Sequence, residues 1–346
     1  MYFYTVLFFL QEEVDLMQQR VVFLGTGGTI AGQAQSSQDN VSYQAAQIEV
    51  GQLLEAIPGL RGQLRGALLH SEQVFQLNSK DLDPSHWQQL HGRVVHYLGQ
   101  ADVRGIVITH GTDTAEETAY FLARTVPAAL LQAKPVVLTC AMRPATSAHS
   151  DGPQNMVDAL CVATTQGAYG VLLVCSATVH SALRVQKVHP YRLDAFDSGE
   201  AGPVGVVEEG QLRLFGAWPE LLETVLHRSL SPQASAKQDW PRVEIVMSHA
   251  GANGASVRAM CAHTAQGDSP LRGIVVAGTG NGDIHHDLAQ ALNDAQSQGV
   301  RVIRTTRCAT GSVVLAQPNG AEPKLLEASP LSAVKARIAL MLELLD

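Results

Sequence analysis

The chain has 346 residues, 46% of them hydrophobic and 16% charged, a balance that supports two ordinary buried cores and excludes both a small module and a disordered chain. Its 24 basic against 32 acidic side chains give a net charge of -8 with no Lys/Arg run to follow a phosphate backbone, so nucleic acid is not an expected partner. The cysteines Cys140, Cys161, Cys175, Cys261 and Cys308 form no CxxC pair, and free thiols in a reducing, cytoplasmic compartment are expected.

The first twenty residues, MYFYTVLFFLQEEVDLMQQR, hold an apolar run that no positive residue precedes and that Gln-Glu-Glu follows, which makes a poor signal peptide. The run is also short of the ~20 apolar residues that a membrane span needs, so no membrane association is expected. Residues 1–19 are expected to be a disordered extension. Short β-branched runs at 21–24, 105–109, 136–139, 171–174, 243–247, 274–277 and 302–304 read as buried parallel strands. Helical patterns at 115–126, 154–164 and 287–298, the last closed by Gly299, alternate with them, so the class is α/β. Residues 208–240 break the alternation and become polar from Ser229, which places a linker at 215–240 between domains at 20–214 and 241–346.

Ligands of open parallel sheets bind beyond the carboxyl ends of the strands. The segments there are rich in hydroxyls and glycine: GTGGTIAG from Gly25, THGTDTAEE from Thr109, CAMRPATSAHSDGPQN from Cys140 and GTGNGD from Gly278. The first lacks the third glycine of a dinucleotide fingerprint, Ile30 standing in its place, although Glu49 lies at the spacing of a ribose-binding acid. A polar loop at 32–40 follows instead of a helix, so the segment reads better as a turn presenting Thr29, with Tyr43 at the far end of a flap. In the second segment Gly111 permits close backbone approach, and Thr112 with Asp113 meets the start of a helix. A capping box formed by Thr114 and Glu117 is the competing reading of that stretch. The 13 histidines form no HExxH pair, capping or solvent-facing roles being expected for His285, His286, His86, His91 and His96. Neither a GxSxG elbow nor a P-loop occurs.

Together FLGTGGTIAG, GIVITHGTDTAEETAYFL, KPVVLTCAMRPATSAHSDGPQN and AGTGNG, in this order, resemble the bacterial type I/II L-asparaginase (asparaginase/glutaminase) family from about Arg20 to the end. The resemblance implies a larger doubly wound amino-terminal domain, a smaller α/β carboxy-terminal domain and no cofactor. It implies hydrolysis of L-asparagine, and of L-glutamine as a second substrate, in a homodimer or homotetramer. By motif position, Thr29 matches the family's nucleophile and Tyr43 its flap partner. Thr112 and Asp113 match the second threonine and the aspartate that binds the substrate α-amino group, and Lys187 completes that cluster. Ser79 in LNSKD matches a substrate-binding serine, and Ala141 lies at the amide pocket.

These residue types suit the chemistry, because a threonine hydroxyl needs a proton acceptor or an activating network, and glycine-rich turns supply amide donors for an oxyanion. A desolvated lysine beside Asp113 meets the first need, whereas a lysine without that context is ordinarily a solvated surface amine. The family completes its site across a dimer with an asparagine and a glutamate from the neighbouring small domain. Here Asn253 is displaced from the expected place, and Glu322 and Glu327 come late, so a raised KM or altered Asn/Gln preference is expected. A catalytically weak paralogue that senses a small amino acid, and an NAD-dependent oxidoreductase, are the rival classes.

Overall fold

The structure, a computed structural model, describes residues 19–222, 240–264, 270–315 and 326–345. The expected extension therefore falls, but for residue 19, outside the described residues, as does most of the expected linker. The chain divides into two compact units, residues 1–236 and 237–346.

The first unit is built on eight strands: β1 (Arg20–Gly27), β2 (Leu68–Leu77), β3 (Val103–Thr109), β4 (Val136–Thr139), β5 (Val171–Cys175), β6 (Thr178–Ser181), β7 (Gly205–Glu208) and β8 (Gln211–Leu214). Their order in the sheet is β8-β7-β6-β5-β4-β3-β1-β2. The five strands from β2 to β5 run parallel, while β5 to β8 pair antiparallel. Helices α1 (Pro84–Leu98), α2 (Ala115–Thr125) and α3 (Gly152–Ala163) cross the sheet. The parallel strands are apolar throughout because both their faces are covered. Val21, Phe23, Val107, Val137, Leu172 and Val174 join the core under α3, while Val22, Leu24, Ile106, Ile108 and Leu138 are equally buried on the opposite pleat, where α1 and α2 lie on β3 and β5. Helix α1 starts sharply, with Pro84 in its first turn and the Asp83 carboxylate accepting from the amides of Ser85 and His86.

Two features were not expected from the sequence. Strand β2, LLHSEQVFQL, is a half-exposed sheet edge whose polar residues hide its strand character. The antiparallel extension is made of four-residue strands, too short for a period to show. Residues 215–222 are described and pack on this unit: Trp218 joins its core and donates to the Tyr169 carbonyl at 2.8 Å.

The second unit holds a four-stranded parallel sheet in the order β9 (Arg242–Met247), β10 (Leu271–Gly278), β11 (Arg301–Thr306), β12 (Glu327–Ala328). Helices α4 (Ala255–Thr264) and α5 (His286–Ser297) cover the face of Ile274 and Val276, and α6 (Ala333–Glu343) covers that of Val243, Val275 and Ile303. Gly299 follows α5 with a φ of 91°, the left-handed exit that glycine takes freely. Among the described residues no helix is long and apolar enough to cross a membrane.

Candidate active site

The parallel strands of the first unit stand in the order β2-β1-β3-β4-β5, so the strand order reverses between β1 and β3, successive crossovers moving outward from them in opposite directions, and this is where doubly wound sheets bind ligands. The loops leaving these two strands meet back to back. Gly28, at φ 82° and ψ -170°, lies in a region open essentially to glycine, and a Cβ there would strike the backbone of Gly111. A Cβ on Gly111 would in turn strike the Ser79 hydroxyl, so the three residues are in van der Waals contact.

After Gly28 the chain makes a single 3-10 turn, Thr29–Ala31, and then a small hairpin of Gln33–Ala34 with Tyr43–Gln44. A long helix at this point would be needed to seat a pyrophosphate, and the hairpin in its place removes the dinucleotide reading. The hairpin returns Tyr43 to the turn, where its phenol oxygen lies 2.6 Å from Thr29 Oγ1. Thr29 is buried, with 8% of its surface exposed. On the β3 side, Lys187 Nζ donates to Thr112 Oγ1 at 2.8 Å and to Asp113 Oδ1 at 2.6 Å. The Lys187 side chain is 15% exposed and that of Asp113 53%, so the lysine closes the cluster from within while the carboxylate stays open to a ligand.

The capping-box reading of Thr114 fails. Thr114 precedes α2 but makes no side-chain cap, its hydroxyl donating to the Ser79 carbonyl at 2.9 Å and tying the two loops together. Ser79 itself is 3% exposed and its hydroxyl has no hydrogen-bond partner among the described residues, which leaves one buried donor and acceptor beside Gly111. Ala141 is fully buried just past β4.

His110 is fully buried, and donor accounting fixes its tautomer. Trp87 Nε1 can only donate, and it donates to Thr118 Oγ1 at 2.9 Å. The Gly111 carbonyl, 2.7 Å from His110 Nδ1, can only accept, so Nδ1 carries the hydrogen of the neutral ring and Nε2 accepts from the Thr118 hydroxyl 3.0 Å away. Burial pushes the His110 pKa down to about 4, and the neutral ring holds Gly111 in place.

In the second unit, Asn253 is exposed and its Oδ1 accepts from Ala255 N at 3.0 Å, ahead of α4. Glu327 pairs with Arg301, and Glu322 lies outside the described residues. His86 and His285 cap their helices as expected, whereas His91 is buried on the Thr125 carbonyl. Among the described residues, the group with metal-ligand proximity is His285, His286 and Asp287 on the surface of this second unit. Sequence reasoning did not single out Asp151 or Asn155, which organise the loop after β4. Their signal, Asp-Gly-Pro-Gln-Asn, was in view but reads as an ordinary helix start.

A two-unit α/β protein with hydroxyls and a lysine–carboxylate pair at its sheet switch point is the architecture these findings define. The asparaginase N-terminal family model matches residues 20–219, and that of the glutaminase/asparaginase C-terminal domain matches 242–345. This chain belongs to the asparaginase family. It is 34% identical to a glutaminase-asparaginase of Pseudomonas fluorescens biotype A, over 96% of this chain and 88% of that one. Identity to L-asparaginase 2 of Bacillus subtilis is 35%, over 96% and 84%. A crystal structure of a probable cytoplasmic L-asparaginase from Campylobacter jejuni superposes with a TM-score of 0.81 at 32% identity, covering 94% of this chain and 95% of that one.

Proposed function

We propose that this protein is an L-asparagine amidohydrolase that also accepts L-glutamine, with Thr29 as nucleophile. The observation that carries the reading is the 2.6 Å contact between Thr29 Oγ1 and the Tyr43 phenol, on a turn that abuts the Thr112–Asp113–Lys187 cluster. In the proposed step Thr29 Oγ attacks the side-chain amide carbon, its proton moves to the Tyr43 oxygen, and the Tyr43 proton passes to the departing nitrogen. Collapse releases ammonia and leaves an aspartyl ester on Thr29, which water cleaves to L-aspartate and free Thr29. Asp113, half exposed, takes the substrate ammonium; Lys187 holds Thr112 and Asp113 in register; and the Ser79 hydroxyl supplies a further contact. Ala141 lines the amide end.

The relatives' names support the substrate pair, and the family supports the threonine. We further propose a homodimer or homotetramer in which the 249–254 loop with Asn253 faces the partner's Thr29 pocket, and a cytoplasmic location, supported by cysteines that are free throughout. Folded Thr29→Val protein, checked by circular dichroism, is expected to release no ammonia from L-asparagine; near-normal kcat would sink the assignment. Wild-type protein that binds asparagine without turnover would replace the enzyme by a sensor.

A further inference from the structure

We propose that Asp151 and Asn155 are positioning residues that fix the 140–150 segment and, through it, the flap carrying Tyr43; the proposal rests on the amidohydrolase reading above. Asp151 stands at the N-cap of α3 but does not cap it. Its carboxylate turns back, Oδ2 accepting from Met142 N at 2.9 Å and Oδ1 from Arg143 N at 3.0 Å. Asn155, 2% exposed, joins the ends of two strands. Its Nδ2 donates to the Cys140 carbonyl at 2.8 Å and to Asp151 Oδ2 at 3.2 Å, while its Oδ1 accepts from Ser176 N at 2.9 Å. The amide orientation follows from its surroundings, since a carbonyl and a carboxylate can only accept and a main-chain N–H can only donate.

From this clasp a chain of contacts leads to the flap. Ala145 N donates to the Gly32 carbonyl at 3.0 Å and Ala148 N to that of Ser37 at 2.9 Å. Thr146 Oγ1 accepts from Ala34 N at 2.8 Å, and Ala34 is the cross-strand partner of Tyr43. At its other end the clasp reaches the nucleophile turn, because Gly152 leaves only van der Waals room between Ile30 and Ala141. The base of the 140–150 segment is thereby held between the Thr29 turn and the strand that faces Tyr43.

Polarity, rather than bulk, is what the clasp requires, and isosteric exchanges test it. In Asp151→Asn one side of the new amide must point an NH2 at a main-chain N–H. In Asn155→Asp a second carboxylate faces Asp151 and the Cys140 carbonyl. Each variant is expected to lose about 10- to 100-fold in kcat toward L-asparagine with KM within about threefold, as displaced reacting groups would. The Asn155→Asp deficit is expected to narrow as the pH falls from about 8 to about 5.5, since two facing carboxylates take up a shared proton that restores the missing donor. Amide exchange in residues 32–44 is expected to quicken in both variants while β1 and β3 stay protected. Wild-type kcat in Asp151→Asn, or unchanged exchange at 32–44, overturns the proposal. If wild-type protein does not hydrolyse asparagine, the amidohydrolase reading falls separately, and faster exchange at 32–44 in the variants would still uphold the link from clasp to flap.

Discussion

Lys187 touches both Thr112 and Asp113, so the three should behave as one unit in a double-mutant cycle. In Lys187→Met the apolar stem remains and only the ammonium is removed. The contact it makes with Thr112 Oγ1 at 2.8 Å is a hydrogen bond from a charged donor whose side chain is 15% exposed. Such bonds contribute about 1.5 to 3 kcal/mol. At about 1.4 kcal/mol per tenfold, that is roughly a 10- to 150-fold loss in kcat/KM. The ion pair with Asp113 adds little, because that carboxylate is 53% exposed and water screens it. Thr112→Val removes the same hydrogen bond from the other side and should lose a similar factor. Because both singles delete one shared interaction, the double variant should fall within about threefold of the worse single. Coupled ammonia release from L-asparagine measures all four corners of the cycle. If the two losses instead multiply, Thr112 and Lys187 act independently and the cluster has no catalytic unity.

Other consequences follow from single residues. His110 has a folded pKa pushed down to about 4, below its ordinary unfolded value, so the unfolded chain binds the extra proton first and stability drops as the pH falls through the window from about 6.5 to about 4. Urea midpoints between those limits should show His110→Gln losing less stability than wild type, by up to about 3 kcal/mol; equal slopes would refute it. Gly28→Ala must both enter a glycine-only backbone region and displace Gly111, so a loss of about 2 to 4 kcal/mol in chemical denaturation is expected, and an unmoved midpoint would contradict the back-to-back loops. Asn253→Ala removes the acceptor for Ala255 N and should cost about 1 kcal/mol in stability whatever its role in binding. An accompanying rise in KM would mark Asn253 as part of a shared site, whereas a monomer by light scattering with full turnover would remove the shared site.

How legible each part was depends on whether its cause is local. All seven expected strands are present, and six are buried as expected, because a strand covered on both faces writes itself as an apolar run, whereas the one at 243–247 is a half-exposed sheet edge with Ile245 and Met247 open to solvent. Strand β2 was invisible because its environment, a sheet edge, is set by its neighbours. Polarity alone suggested that the linker begins at 215, but Trp218 and its bond to Tyr169 come from a partner 49 residues away. Thr29 and Thr112, which the structure places on adjoining loops, stood out in the sequence because glycine-rich turns after strands are themselves unusual. Lys187 could not be found from pattern, since its contact with Thr112 spans 75 residues, and only the resemblance brought it forward. Thr114 misled for the same reason: its local sequence is that of a cap, and the Ser79 carbonyl, 35 residues back, takes the hydroxyl instead.

The two glycines explain why a site of this kind needs so few specialised residues. Strands β1 and β3 are neighbours, so the loops that leave them begin one strand spacing apart, roughly 4.8 Å. With any side chain at Gly28 or Gly111 the loops would have to diverge, and Thr29 and Thr112 would be carried apart with them. Glycine at both positions lets the backbones touch, and the neutral His110 ring holds the Gly111 carbonyl from behind. The two threonine-bearing loops are therefore brought together by backbone geometry, which leaves the side chains around them free for chemistry. Lys187 and Tyr43 each approach from a different segment and each contacts a different threonine. A change that shifts one of them should therefore alter one half of the site while the other half keeps its shape.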